Sequence, residues 1–105
     1  MFFPLVFDDV IIKQLKQAAK NQHIKEILTT MLNKIELEGP LAGKLLDSHL
    51  FLYEMKSKRP PIRLYFKHKI QTNEMYILEF EMKTSLKKQN RLINKLIQKL
   101  RLLKS

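Results

Sequence analysis

A chain of 105 residues is long enough for one domain with a modest core and too short for two. Its 45 % hydrophobic content argues against disorder, and 20 Lys or Arg against 10 Asp or Glu leave a net charge of +10. With no cysteine, neither a disulfide nor a thiolate metal site belongs to the design, and His23, His49 and His68 lack ligand spacing, so no metal and no cofactor is expected.

The charge is lopsided. Residues 1–50 carry six Lys and six Asp or Glu, whereas residues 51–105 carry fourteen Lys or Arg against four Glu. A field of one sign confined to half a chain concentrates polyanions, which makes nucleic acid, the ribosome or an acidic protein the expected partner. Met1-Phe2-Phe3-Pro4-Leu5-Val6-Phe7 lacks the basic start of a signal peptide and runs straight into Asp8-Asp9. No window approaches a membrane span, so a soluble, cytoplasmic protein without a membrane partner is expected.

Residues Phe2 to Phe7 suit a short strand, and Pro4 suggests an edge position where a missing N–H is tolerated. Asp8 offers a helix N-cap and Asp9 a favourable first-turn charge, and Val10, Ile11, Leu15, Ala18 and Ala19 recur at helical spacing to about Lys20. Ile24, Ile27, Leu28, Met31 and Ile35 mark one face of a second helix. Glu38-Gly39-Pro40-Leu41-Ala42-Gly43 then ends the helical period in a turn.

From Asp47 to Met82 aromatic and β-branched residues alternate with charged ones, the period of strands with one face in a core and the other wet. A three-stranded antiparallel meander follows. In its first strand Phe51, Tyr53 and Met55 oppose Leu50, Leu52, Glu54 and Lys56, and Ser57-Lys58-Arg59-Pro60-Pro61 makes a basic turn. Next, Ile62, Leu64 and Phe66 oppose Arg63, Tyr65, Lys67 and Lys69. After a turn at Gln71-Thr72-Asn73, Tyr76, Leu78 and Phe80 fall on one face, Ile77, Glu79 and Glu81 on the other. From Thr84 or Ser85 a final helix is predicted through Leu86, Ile93, Leu96, Ile97, Leu100 and Leu103. Along it Lys88, Arg91, Lys95 and Lys99 form one basic ridge with no acidic residue after Glu81. Like charges so spaced cost helix stability, so a compensating polyanion or the helix dipole is expected. The whole reads as an α+β domain over residues 1–105: a small antiparallel sheet packed by a helical hairpin, with a basic C-terminal helix.

Several residues suit phosphate chemistry. Arg63 keeps its charge and can contact two phosphate oxygens; a cross-strand pair with Glu79 or Glu81 is the alternative. Lys56 and Lys83 can bind phosphate or simply solubilise the surface. Glu79, Glu81 and His68 are possible proton acceptors, although His68 has the core-side parity of a structural histidine. Tyr65 can stack on a base or lie half-buried in the sheet. Lys58, Arg59, Lys67, Lys88, Arg91, Lys95 and Lys99 complete a basic set suited to a polyanion, RNA in the resemblance that follows.

Four short segments, in order, resemble the RelE/ParE superfamily of toxin–antitoxin toxins and its HigB-like, phage-derived branch. They are Leu37-Glu38-Gly39-Pro40-Leu41-Ala42-Gly43-Lys44-Leu45, Leu52-Tyr53-Glu54-Met55-Lys56, Pro61-Ile62-Arg63-Leu64-Tyr65-Phe66 and Phe80-Glu81-Met82-Lys83-Thr84. The resemblance implies a RelE-like fold and a metal-independent endoribonuclease that cleaves mRNA in the ribosome, held inactive by a cognate antitoxin, of helix-turn-helix or disordered-arm type. It places Arg63, Lys56 and Lys83 on the family's phosphate-binding positions. Leu52 and Glu54 depart from the more basic strand of the ribosome-dependent members, and a non-nuclease gyrase-directed toxin or a purely binding relative stays open.

Overall fold

Asp8 divides the first strand from the first helix because its carboxylate accepts the Val10 N–H at 3.0 Å, an N-cap that satisfies an otherwise orphaned donor. The computed structural model describes residues 2–82 and 85–103. Strand β1 (Leu5–Phe7) leads to helices α1 (Asp9–Ala18) and α2 (Gln22–Glu38), a 3-10 turn (Gly39–Ala42), and strands β2 (Lys44–Asp47), β3 (Leu52–Lys58), β4 (Pro61–Lys69) and β5 (Glu74–Met82). Helix α3 (Leu86–Leu103) closes the order.

The strands form one sheet in the order β1-β5-β4-β3-β2. The predicted meander is its centre, β3, β4 and β5 antiparallel in turn. Two edges extend it. β1 lies on the outside as Pro4 suggested, but pairs parallel to β5, and β2, unforeseen in the sequence, pairs antiparallel with β3. The sheet is therefore mixed and five-stranded. β1 reaches along β5 only as far as Ile77. Beyond it the side-chain amide of Gln14 takes over, accepting the Phe80 N–H at 2.8 Å and donating to the Phe80 carbonyl at 2.9 Å, so helix α1 supplies the missing rung.

The helical hairpin covers one face. Ile11 of α1 and Ile24, Leu28, Met31 and Ile35 of α2 pack against Met55, Ile62, Leu64, Phe66, Met75 and Ile77. The other face, expected to be wet, is covered by α3. Leu96 and Leu100 close with Leu50, Leu52, Tyr65 and Leu78 into a second core. Burying such a leucine contributes about 1.5–3 kcal/mol, enough for this stripe to hold α3 down before any polar contact is counted.

Alternation along β3 and β4 is as predicted, but β5 breaks it. Tyr65 stands opposite Glu79 while its neighbour Phe66 stands opposite Ile77, leaving Leu78 as an extra residue in a bulge. Leu78 thus joins the α3 face, Phe80 packs with the hairpin core instead of beside Leu78, and Ile77 faces that same hairpin core, away from Glu79. At the helix-to-sheet break Gly39 has φ of +60°, and a Cβ there would lie 2.6 Å from the Phe3 ring. Only glycine meets both constraints.

Candidate active site

The two central pairings arrange the side chains of the α3 face in rows across three strands. One row is Lys56–Arg63–Glu81, and the next is Glu54–Tyr65–Glu79. Direct cross-strand neighbours on one face stand about 4.5–5.5 Å apart at Cβ, so each row is a contiguous set of functional groups. The charged row lies beside the β3–β4 turn, where Lys58 and Arg59 are exposed at the tip.

The inner row is buried, contrary to the expectation of a solvated polar face. Glu54 is 3 % exposed, Tyr65 0 % and Glu79 7 %. Glu54 is held from two sides. Gln89 of α3 donates to its Oε2 at 3.0 Å, and the Lys56 ammonium lies 3.7 Å from its Oε1. The Tyr65 hydroxyl donates to Glu81 Oε2 at 3.3 Å. Burial, reinforced by the negative charges of Glu81 and Glu54, pushes the Tyr65 phenol far above its usual range, so it serves as a donor and never as a base. With no exposed ring face it cannot stack on a nucleobase, which removes that expected role. Burial also raises the Glu79 carboxyl, against the opposing pull of Lys95 and Lys99.

Arg63 is half-buried and opposite Glu81, yet it forms no ion pair within 4.0 Å among the described residues. The cross-strand ion pair that was its alternative role is not made. Glu81 Oε1 is buried and has no hydrogen-bond partner among the described residues. Lys83 lies outside the described residues.

The remaining basic residues do not converge on one point. Lys88, Arg91 and Lys95 are exposed along α3, as expected. Lys99 is instead half-buried, and its ammonium donates to Asp8 Oδ2 at 2.8 Å. Lys67 donates to the Leu50 carbonyl at 2.7 Å, toward the opposite end of the strands from Arg63. His68 meets the Phe3 ring edge-on with its Nε2 2.7 Å from Asn73 Oδ1, on the hairpin side of the sheet as its parity implied.

Three polar residues outside the expected set hold this face together. Besides Gln89, these are Asp8 and Tyr76: the Tyr76 hydroxyl donates to Asp8 Oδ1 at 2.6 Å, so one carboxylate ties α1, β5 and α3. Burial and the bond to Asp8 push the Tyr76 phenol up to about 12. Burial alone would raise the Asp8 carboxyl, but the bonds from Lys99, Tyr76 and the Val10 amide outweigh it and hold it below the usual carboxylate value. Asp8 was legible as a cap; nothing in the sequence linked it to residues 68 and 91 positions away.

No helix among the described residues is long and apolar enough to cross a membrane. No protein-family model and no curated protein matches the chain. Solved structures do. A chain of the intact E. coli RelBE toxin–antitoxin complex matches with a TM-score of 0.64 at 21 % identity, over 81 % of this chain and 100 % of that one. The isolated E. coli RelE toxin matches with a TM-score of 0.66 at 18 % identity, over 91 % and 99 %. A double arginine-to-alanine mutant of E. coli RelE in the free state matches with a TM-score of 0.64 at 16 % identity, over 76 % and 82 %. At this level of identity the likeness is one of architecture, and the chain has the fold of E. coli RelE.

Proposed function

We propose that this chain is the toxin of a type II toxin–antitoxin system and acts as a metal-independent, ribosome-dependent mRNA endoribonuclease, of the HigB-like branch. The observation that carries the reading is the row Lys56–Arg63–Glu81 on a RelE-like sheet, with the Arg63 guanidinium unpaired among the described residues. In this reading Arg63 binds the scissile phosphate and stabilises charge on its non-bridging oxygens, and Lys56 assists. Lys83 is assigned to phosphate as well. The substrate 2′-hydroxyl gives its proton to Glu81 while its oxygen attacks phosphorus. The bond to the 5′-oxygen breaks, that oxygen takes a proton from water, and a 2′,3′-cyclic phosphate and a 5′-hydroxyl result. Glu81 suits this better than Glu79, which lies beneath α3 beside Lys95 and Lys99. The basic surface also suits the ribosome and an acidic cognate antitoxin.

Primer-extension mapping of mRNA in cells briefly induced for the wild type and for Arg63→Ala tests this, with translation running and blocked. Translation-dependent cuts that fall about 100-fold or more in Arg63→Ala are the expected result. Growth arrest with intact mRNA would remove the nuclease. A second reading, a relative that binds RNA without cutting it, draws on the position of Lys56, 3.7 Å from the buried Glu54, where the ion pair competes with phosphate.

A further inference from the structure

At the end of the sheet away from Arg63, a cleft of about 780 Å³ opens between the C-terminal turns of α3, the ends of β1 and β4 and the β2–β3 connection. Val6, Ile70, Leu100 and Leu103 give it an apolar lining, and Phe7 and Phe51, which also line it, are each 37 % exposed. The charged and titratable lining consists of Lys67, Lys69, His49, His68 and Tyr76, with no carboxylate among the described residues. Nearby acids are engaged: Asp47 accepts the His49 and Leu50 amides, Glu74 lies 4.0 Å from Lys69, and Asp8 takes the Tyr76 hydroxyl.

Phe51 has a φ of +53°, a conformation unusual for a bulky residue. Its carbonyl accepts the His68 N–H at 3.0 Å, which fixes the backbone there. Asparagine would fit this conformation with less strain, so a phenyl ring here carries a cost to the fold.

We propose that this cleft is a second RNA site that takes one or two unstacked bases of a single strand between Phe7 and Phe51, with Lys69 on the adjoining phosphate. It rests on the RNA reading above and extends it. Aromatic faces with cations beside them suit single-stranded nucleic acid because every base offers a π-face and every linkage a negative charge. Lys69 is six positions along β4 from Arg63, about 20 Å at strand rise, so the site contacts nucleotides flanking the scissile one rather than that nucleotide itself. An acidic peptide would share the cations, and the test below separates the two.

The experiment is fluorescence anisotropy of 5′-fluorescein-labelled ten-nucleotide oligoadenylate with the wild-type protein and with Phe51→Asn, Phe7→Leu and Lys69→Gln, alongside thermal melts. Phe51→Asn is expected to melt at or above the wild-type temperature and yet to bind about five- to a hundredfold more weakly. A purely structural Phe51 would do the reverse. Binding within twofold of wild type in both Phe51→Asn and Phe7→Leu overturns the proposal. So does unchanged RNA binding with loss of binding to an acidic antitoxin, which would make the cleft a peptide site. Should wild-type cells show no translation-dependent cuts while the purified protein still binds through Phe51, the nuclease reading fails and this site stands.

Discussion

Glu79 shows how a carboxylate can be a liability for the fold and a candidate for the chemistry. Burial beneath α3 raises its pKa despite Lys95 and Lys99, so the folded state holds a proton there more readily than the unfolded chain. Above the folded pKa the ionised group costs stability, and as pH falls through that pKa the cost is relieved. Glu79→Gln is therefore expected to raise the melting temperature at pH 7, by an amount that shrinks as the pH is lowered; a melt series over pH checks this. Arg63 presents the complementary case. Its guanidinium has no ion pair among the described residues, so Arg63→Ala should leave stability within about 0.5 kcal/mol while cutting falls as proposed above, and urea unfolding separates the two effects.

At the scale of elements, the break after α2 depends on backbone freedom more than on packing. Gly39 needs a positive φ, and a Cβ would run into the Phe3 ring at 2.6 Å. Gly39→Ala is expected to cost about 2 kcal/mol or more, read from the midpoint of urea unfolding, because strain and overpacking add. Helix α3 is held by a different balance. Its buried leucines supply the attraction, while the Gln89–Glu54 and Lys99–Asp8 contacts fix where along the sheet it lies. Ser85 begins it by accepting the Lys88 N–H at 3.2 Å.

For the whole molecule the carboxylate of Asp8 is the point where the β1–α1 junction, β5 and α3 meet. The Lys99–Asp8 ion pair is only partly exposed, and a double-mutant cycle of Asp8→Asn with Lys99→Met should give a coupling of about 0.5–3 kcal/mol. Because the Asp8 pKa is depressed in the folded state, its contribution is present above the usual carboxylate value near 3.8 and is lost as pH falls through the lower folded value. With a net charge of +10, oligonucleotide affinity should fall steeply with salt. Removing exposed Lys88 and Arg91 together should lessen the slope of log K against log salt by roughly 1.4, measured by anisotropy titrations at several ionic strengths.

The sequence by itself determined the helices, the turn at Gly39-Pro40 and the two faces of β3 and β4, because these follow from local periodicity and from residues that restrict their own backbone. It also determined that Lys56 and Arg63 share a face, since parity and a short turn fix the register. Only the tertiary structure decided the rest. The bulge at Leu78 shifts parity by one residue without a glycine or proline to announce it. The face expected to be wet was claimed by α3, so Tyr65, Glu54 and Glu79 became buried and Tyr65 turned from a surface for bases into a support for Glu81. The basic ridge lost Lys99 to Asp8, an acidic partner that no local reading supplies because charge pairing depends on distance in space.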